Sequence, residues 1–147
     1  MRAWVAAGAA LVLFVASMPF GTAAEGQPRE GTPLEIANFT IEPPVASPDG
    51  AARIRFEFRG AQGGLKAATL VAKAATGPWR TSLFEAPVNR AITALGTASE
   101  GVVEAEGRHG GSYTAAQRGT RNLYELRVTD RAGRTSSTLS VSLEVRF

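Results

Sequence analysis

The side chains that could support catalysis are few, and the most reactive of them is a single histidine. His109 is the only imidazole among the 147 residues, and it stands in a glycine-rich segment directly after Arg108. A glycine-rich loop holds a general base poorly, and a neighbouring arginine disfavours the imidazolium. A lone histidine also cannot build a multi-histidine metal site. We therefore interpret His109 as an ordinary loop residue.

Two glutamates have a spacing that could suit glycoside hydrolysis. Glu104 and Glu106 fall two residues apart in an expected strand, which places their Cβ atoms about 6.5–7 Å apart on one face. The same pattern is typical of the solvated side of an edge strand, and no sugar-binding cluster accompanies it. Asp49 and Asp130 are the only aspartates, and neither lies in an Asp-x-Asp calcium loop. We predict that the protein is not an enzyme and binds no metal or cofactor.

Cysteine is absent, which excludes thiol nucleophiles, thiolate metal sites, disulfides and lipid attachment through cysteine. The formal net charge is +3, and the last part of the chain, residues 107–147, contains seven arginines and three acidic residues. This end could face an anionic surface, with Arg127, Arg131 and Arg134 as its most available cations; scattered solvated charge is the alternative. No dense basic run with interleaved aromatic residues occurs, so we predict no nucleic-acid binding.

The first residues read as an export signal. Arg2 precedes an apolar run from Trp4 to Val15, and small residues around Ala24 suit a signal peptidase. We predict a signal peptide over 1–24, a flexible leader over 25–33 and one domain over 34–147, in a protein exported to the periplasm or the cell exterior. The alternative is an uncleaved anchor helix at the short limit of a membrane span.

Period-two alternation dominates the remaining sequence. Apolar and polar residues alternate strictly in Arg53–Arg59, in Tyr124–Thr129 and from Leu139 to Phe147, which predicts half-buried strands and a final hairpin. Weaker patterns predict strands at 36–41, 65–73, 79–85 and 102–106. Residues 87–121 show no clear pattern, and no segment has a convincing helical stripe. These elements predict an all-β fold, an antiparallel immunoglobulin-like β-sandwich of about seven strands.

One stretch also carries a family resemblance. The sequence YELRVTDRAGRTS, from Tyr124 to Ser136, resembles the penultimate strand and final hairpin of bacterial immunoglobulin-like and fibronectin-III-like domains. That resemblance implies a domain used for adhesion, scaffolding or spacing in secreted proteins. Our leading hypothesis is an exported, non-catalytic binding or scaffolding module whose partner is a protein or a component of the cell envelope.

Two alternatives remain open from the sequence. The last residue, Phe147, ends a strand with the alternation that is typical of small outer-membrane β-barrels, although the chain has few aromatic residues for interfacial girdles. Trp79, which follows a Gly-Pro turn, could be a stacking platform in a carbohydrate-binding module, or it could close the end of the sandwich. An exposed final strand could also pair with another chain, and the oligomeric state is open.

Overall fold

Two β-sheets packed face to face account for most of the protein in the computed structural model. The structure describes residues 32–48, 50–74, 77–80, 82–109 and 114–147, with the backbone alone at 74, 77–80, 82 and 83. The predicted signal peptide, 1–24, and nearly all of the predicted leader lie outside these residues.

The chain forms eight strands, one α-helix and a short 3₁₀ turn in its described part. In order they are β1 (Glu35–Glu42), β2 (Val45–Ala46), β3 (Ala51–Arg59), β4 (Leu65–Ala74), β5 (Gly77–Arg80), α1 (Ser82–Leu95), β6 (Gly101–Arg108), the 3₁₀ turn (Ala115–Gln117), β7 (Arg121–Asp130) and β8 (Leu139–Val145). One sheet has the order β1-β3-β6, and the other has the order β2-β8-β7-β4-β5.

The connectivity is that of an immunoglobulin-like sandwich. All neighbouring strands are antiparallel except β2, which runs parallel to β8 after the chain crosses from one sheet to the other at the cis bond between Glu42 and Pro43. The predicted sandwich of about seven strands is confirmed, because seven strands have four or more residues and β2 has only two. The alternation of β8 is by itself also typical of a sheet that closes on itself, but β8 belongs to one of two open sheets.

The core lies between the sheets and follows from the alternation. Ile54, Phe56 and Phe58 of β3 are fully buried, and the apolar side chains of β7 face them from the other sheet. Burial of each large apolar side chain contributes roughly 1.5–3 kcal/mol. Because the side-chain period of a strand is two, the charged residues between these positions are directed to the outer face of each sheet.

The prediction of a strand at 79–85 is wrong in its second half, and so is the expectation that no helix forms. Strand β5 ends at Arg80, and α1 begins at Ser82. Phe84, Val88 and Ile92 recur every four residues and are buried, which is the inward stripe of an amphipathic helix. This helix packs against β4 and β6 and closes one side of the sandwich.

Helix α1 also takes the place of a missing strand beside β4. Strand β5 pairs with β4 only from Val71 onward, which leaves the earlier edge of β4 open. The Asn89 side chain accepts a hydrogen bond from the Ala68 amide (2.8 Å) and donates one to the Ala68 carbonyl (3.3 Å), and Glu85 accepts one from the Leu70 amide (3.0 Å). No helix in the described part of the chain has the length and apolar character required to span a membrane.

Candidate binding surface

The turn between β7 and β8 is held by a buried ion pair. Asp130 is fully buried, and the Arg134 guanidinium contacts its Oδ2 through Nε (2.9 Å) and Nη2 (2.8 Å). Arg134 also donates hydrogen bonds to the carbonyls of Thr32 and Gly60. Arg134, predicted to be available for binding, therefore ties this turn to the start of β1 and to the β3–β4 loop.

The environment of Asp130 keeps its carboxylate ionised. Burial alone would raise the pKa of Asp130, but the backbone amides of Gln62 (3.0 Å) and Arg134 (2.9 Å) and the Arg134 guanidinium together outweigh that effect. The pKa of Asp130 consequently lies below its ordinary value. No motif in the sequence marks this role, since the partners are 68 and 4 residues away.

His109 is buried and does not behave as an ordinary loop residue, which corrects the sequence interpretation. It follows β6 directly, its amide donates to the Gly50 carbonyl (2.9 Å), and the residue is 1% exposed. The rings of Phe84 and Tyr124 contact the imidazole edge to face at centroid distances of 4.9 and 6.1 Å. Burial lowers the pKa of His109, so the neutral imidazole is favoured, and the flanking arginine is not needed to explain this.

The two glutamates with catalytic spacing lie on the outer face of the three-stranded sheet. Both face the same cation: Arg53 Nε is 3.4 Å from Glu104 Oε1, and Arg53 Nη2 is 4.0 Å from Glu106 Oε1. All three side chains are more than half exposed. This arrangement is that of a solvated cross-strand ion pair, as the edge-strand interpretation expects.

Further ion pairs continue along the same outer face. Arg59 Nε lies 2.6 Å from Glu35 Oε2, and Arg55 Nη2 lies 2.9 Å from Glu57 Oε1. The three arginines of β3 therefore each have a carboxylate partner on their own strand or a neighbouring one. The positive charge of β3 is balanced within the three-stranded sheet, whereas Arg108 at the end of β6 has no ion pair among the described residues.

The outer face of the five-stranded sheet has a different character. Its positions on β4, β7 and β8, together with Thr138 just before β8, include several hydroxyl groups among longer side chains such as Leu123 and Glu125, and we call this surface the hydroxyl face. Its hydroxyl residues are Thr69, Thr129, Thr138, Ser140 and Ser142. Lys73 is paired with Glu125 on this face (2.8 Å), so these two charges cancel.

Two arginines of β7 lie on the hydroxyl face without a carboxylate contact. Arg127 is exposed, and its Nε and Nη2 both donate to Thr138 Oγ1 (3.3 and 3.2 Å). Arg121 is exposed and contacts Ser142 Oγ at 3.5 Å. It lies across from Glu144, whose pKa is lowered mainly by Arg146 and, to a smaller extent, by the charge of Arg121. Among the described residues, neither guanidinium has an ion-pair partner within 4.0 Å. Arg127, one of the predicted binding residues, thus presents an unneutralised charge near the centre of the sheet.

The other two predicted binding residues lie at the periphery. Arg131 is exposed in the β7–β8 turn, where its amide donates to the Gly64 carbonyl (3.0 Å) and its Cβ lies near Gly63. Trp79 lies on β5 opposite Ala72, and its side chain is outside the described part of the structure. Within the described ranges, no group of three or more histidine, aspartate or glutamate side chains could hold a metal ion.

Comparison with known proteins supports the fold and leaves the family open. No family model and no curated protein matches the chain. Among solved structures, a Niemann-Pick type C2 protein from the Japanese carpenter ant superposes with a TM-score of 0.53 at 7% identity, over 77% of this chain and 92% of that one. This likeness supports the two-sheet architecture alone.

Two more distant structures were also found. The SrpA adhesin of Streptococcus sanguinis gives a TM-score of 0.45 at 19% identity, over 78% of this chain and 57% of that one. The alkylpurine DNA glycosylase AlkC of Pseudomonas fluorescens, bound to DNA with an abasic site analogue, gives a TM-score of 0.43 at 15% identity, over 99% of this chain and 38% of that one.

Proposed function

We propose that the protein is a non-catalytic binding module whose partner docks on the hydroxyl face and presents carboxylate groups to Arg127 and Arg121. The observation that carries this proposal is the contrast between the arginines of β3 and those of β7. The β3 arginines all have carboxylate partners, whereas Arg127 rests on a single threonine hydroxyl. Arginine binds carboxylates through paired, charge-assisted hydrogen bonds, and Arg127 retains donors for such a contact.

The surroundings of Arg127 suit a protein partner. Thr69 lies directly opposite it on β4, and Thr129 lies two residues along β7. Glu125, two residues the other way, is paired with Lys73. Leu123, which is 38% exposed on the same face, can lose further apolar surface against such a partner. The exposed hydroxyl groups can satisfy polar groups of the partner.

The test is retention on immobilised poly-L-glutamate, an acidic polymer that serves as the probe. The double variant Arg121→Gln, Arg127→Gln should elute at clearly lower salt than the wild type. The matched control Arg53→Gln, Arg108→Gln removes the same charge from the opposite sheet and should elute close to the wild type. Equal loss in both double variants would show that net charge alone governs retention and would overturn the proposal.

Export of the module to the periplasm or beyond the cell is part of the same proposal, supported by the apolar run and the small residues before position 25. Mass measurement of the protein recovered from its native host tests it. A mature chain that begins at Glu25 in an exported fraction agrees with the proposal, and a full-length chain in the cytoplasm contradicts it.

A further inference from the structure

Among the residues that the structure describes, little covers the outer edge of β8. Strand β2 covers it only beside Glu144 and Val145. The amides of Glu144 and Arg146 donate toward β2, at 3.4 and 2.9 Å. Because backbone groups alternate along a strand, those of Ser140 and Ser142 point to the same side, beyond the end of β2.

This open edge lacks the features that normally prevent strands from pairing. The segment Leu139–Leu143 contains no charge, no proline and no glycine, and it has no bulge in its pairing with β7. Ser140 and Ser142 are exposed, so a second strand could reach their backbone groups.

The sequence of the edge is complementary to itself. Leu139–Leu143 reads LSVSL in both directions. In an antiparallel pair centred on Val141, Ser140 of one copy lies opposite Ser142 of the other, and both residues direct their backbone groups at the partner. Each such pair makes two mutual hydrogen bonds, and Val141 meets Val141 in the closely spaced, non-hydrogen-bonded position.

We propose that β8 pairs with β8 of a second copy in this register, joining two five-stranded sheets into one continuous sheet. Leu139 and Val141, which are half-buried in one copy, would lose further exposure against their counterparts. The two hydroxyl faces would lie side by side on one surface.

Sedimentation equilibrium of three double variants tests the register. In Ser140→Lys, Ser142→Lys and in Ser140→Glu, Ser142→Glu, like charges face each other, so the dimer dissociation constant should rise about tenfold or more. In Ser140→Lys, Ser142→Glu each lysine faces a glutamate, and the dimer should be at least as tight as in the wild type. Equal behaviour of the three variants, or a monomeric wild type at about 1 mM, would overturn the inference.

The variant Ser142→Pro tests the backbone pairing itself. The Ser142 amide points away from β7, so proline removes a donor from the open edge and none from the β7–β8 ladder. We expect a folded monomer, with the fold checked by circular dichroism. Arg127 lies on β7, away from the open edge, so Arg127→Gln should lose retention on poly-L-glutamate while the dimer persists, which separates this inference from the proposed function. A Ser142→Pro variant that stays folded and dimeric contradicts the β8 interface.

Discussion

Asp130 and Arg134 are bonded through both backbone and side chain across the last turn. The Asp130 amide donates to the Arg134 carbonyl (2.9 Å), the Arg134 amide donates to Asp130 Oδ1 (2.9 Å), and Arg134 Nε donates to Asp130 Oδ2 (2.9 Å). Since Arg134 also reaches the carbonyls of Thr32 and Gly60, this pair connects three segments of the chain. Its role is to hold the sandwich together at one end.

Loss of the Asp130 charge should be strongly destabilising. In Asp130→Asn the Arg134 guanidinium, which is mostly buried, loses its counter-charge, and removal of one partner from such a pair typically costs about 3 kcal/mol or more. Urea unfolding measures the change. Glu144→Gln, which removes an exposed ion-paired carboxylate from β8, is the control and should change the free energy of unfolding by less than about 0.5 kcal/mol. A similar small change in Asp130→Asn would show that the pair is dispensable.

His109 should make stability depend on pH in the neutral range. Its pKa in the folded protein lies below the 6.5 of an exposed histidine. Above pH 6.5 the imidazole is neutral in both the folded and the unfolded protein, so the burial of His109 costs no stability there. As the pH falls below 6.5, the unfolded chain takes up a proton that the folded chain does not, so stability is lost, by at most about 1.4 kcal/mol per pH unit.

The comparison of wild type with His109→Gln isolates that effect. Unfolding free energies measured from pH 7.5 to 5 should decline in the wild type and stay flatter in the variant. If the two plots of unfolding free energy against pH run parallel, a group other than His109 causes the pH dependence. Asp130 acts at lower pH, because its depressed pKa supports stability above about pH 4, and that support is lost as the pH falls through the folded pKa.

Asn89 lies on helix α1, which packs against a strand of each sheet, and we expect its side chain to stabilise the fold. Asn89→Ala leaves the amide and carbonyl of Ala68 without their side-chain partner, which we expect to cost about 2 kcal/mol. Arg90→Ala changes the next, exposed helix position and serves as the control. Thermal and urea unfolding of the two variants should differ clearly; equal stability would mean that water replaces the Asn89 amide at this edge.

Gly64 is required for a close approach between the β3–β4 loop and the end of α1. Its φ is +90°, and a Cβ there would lie 2.2 Å from the Gly96 carbonyl oxygen. Gly133 has a similar φ of +85° with open space around it, so it reports the backbone strain alone. We expect Gly133→Ala to cost about 1 kcal/mol and Gly64→Ala to cost at least about 2 kcal/mol more. Equal costs would show that the loop moves away freely.

The strands could be predicted because each one follows from a pattern of neighbouring residues in the sequence. At most positions of β3 and β7 exposure follows from the residue's type and the period of two, as Phe56 and Tyr124 illustrate; the buried Glu57 and Asp130 are exceptions. Helix α1 was missed because Pro87 and the polar Glu85 and Asn89 interrupt its stripe, and those polar groups serve the edge of β4, which no local pattern reveals.

The candidate surface was only partly accessible to sequence reasoning. Arg127 and Arg134 belong to the same hairpin, and the sequence does not distinguish them. In the structure Arg127 donates to a threonine hydroxyl, whereas Arg134 is bound to a buried aspartate. The difference arises from the β3–β4 loop and the start of β1, which are distant in sequence. The burial of His109 is invisible in the sequence for a similar reason, because Phe84 and Tyr124 come from other elements to cover it.

The most direct test of the proposed binding surface is to map it in solution. A short glutamate-rich peptide would be titrated into ¹⁵N-labelled protein while the amide chemical shifts are followed. The proposal expects saturable shifts concentrated at Arg121, Arg127 and Thr129 and at Thr69 beside them, with little change at Arg53 on the opposite sheet. Shifts that are centred on Arg53, or that are uniform and do not saturate, would contradict a carboxylate-binding hydroxyl face.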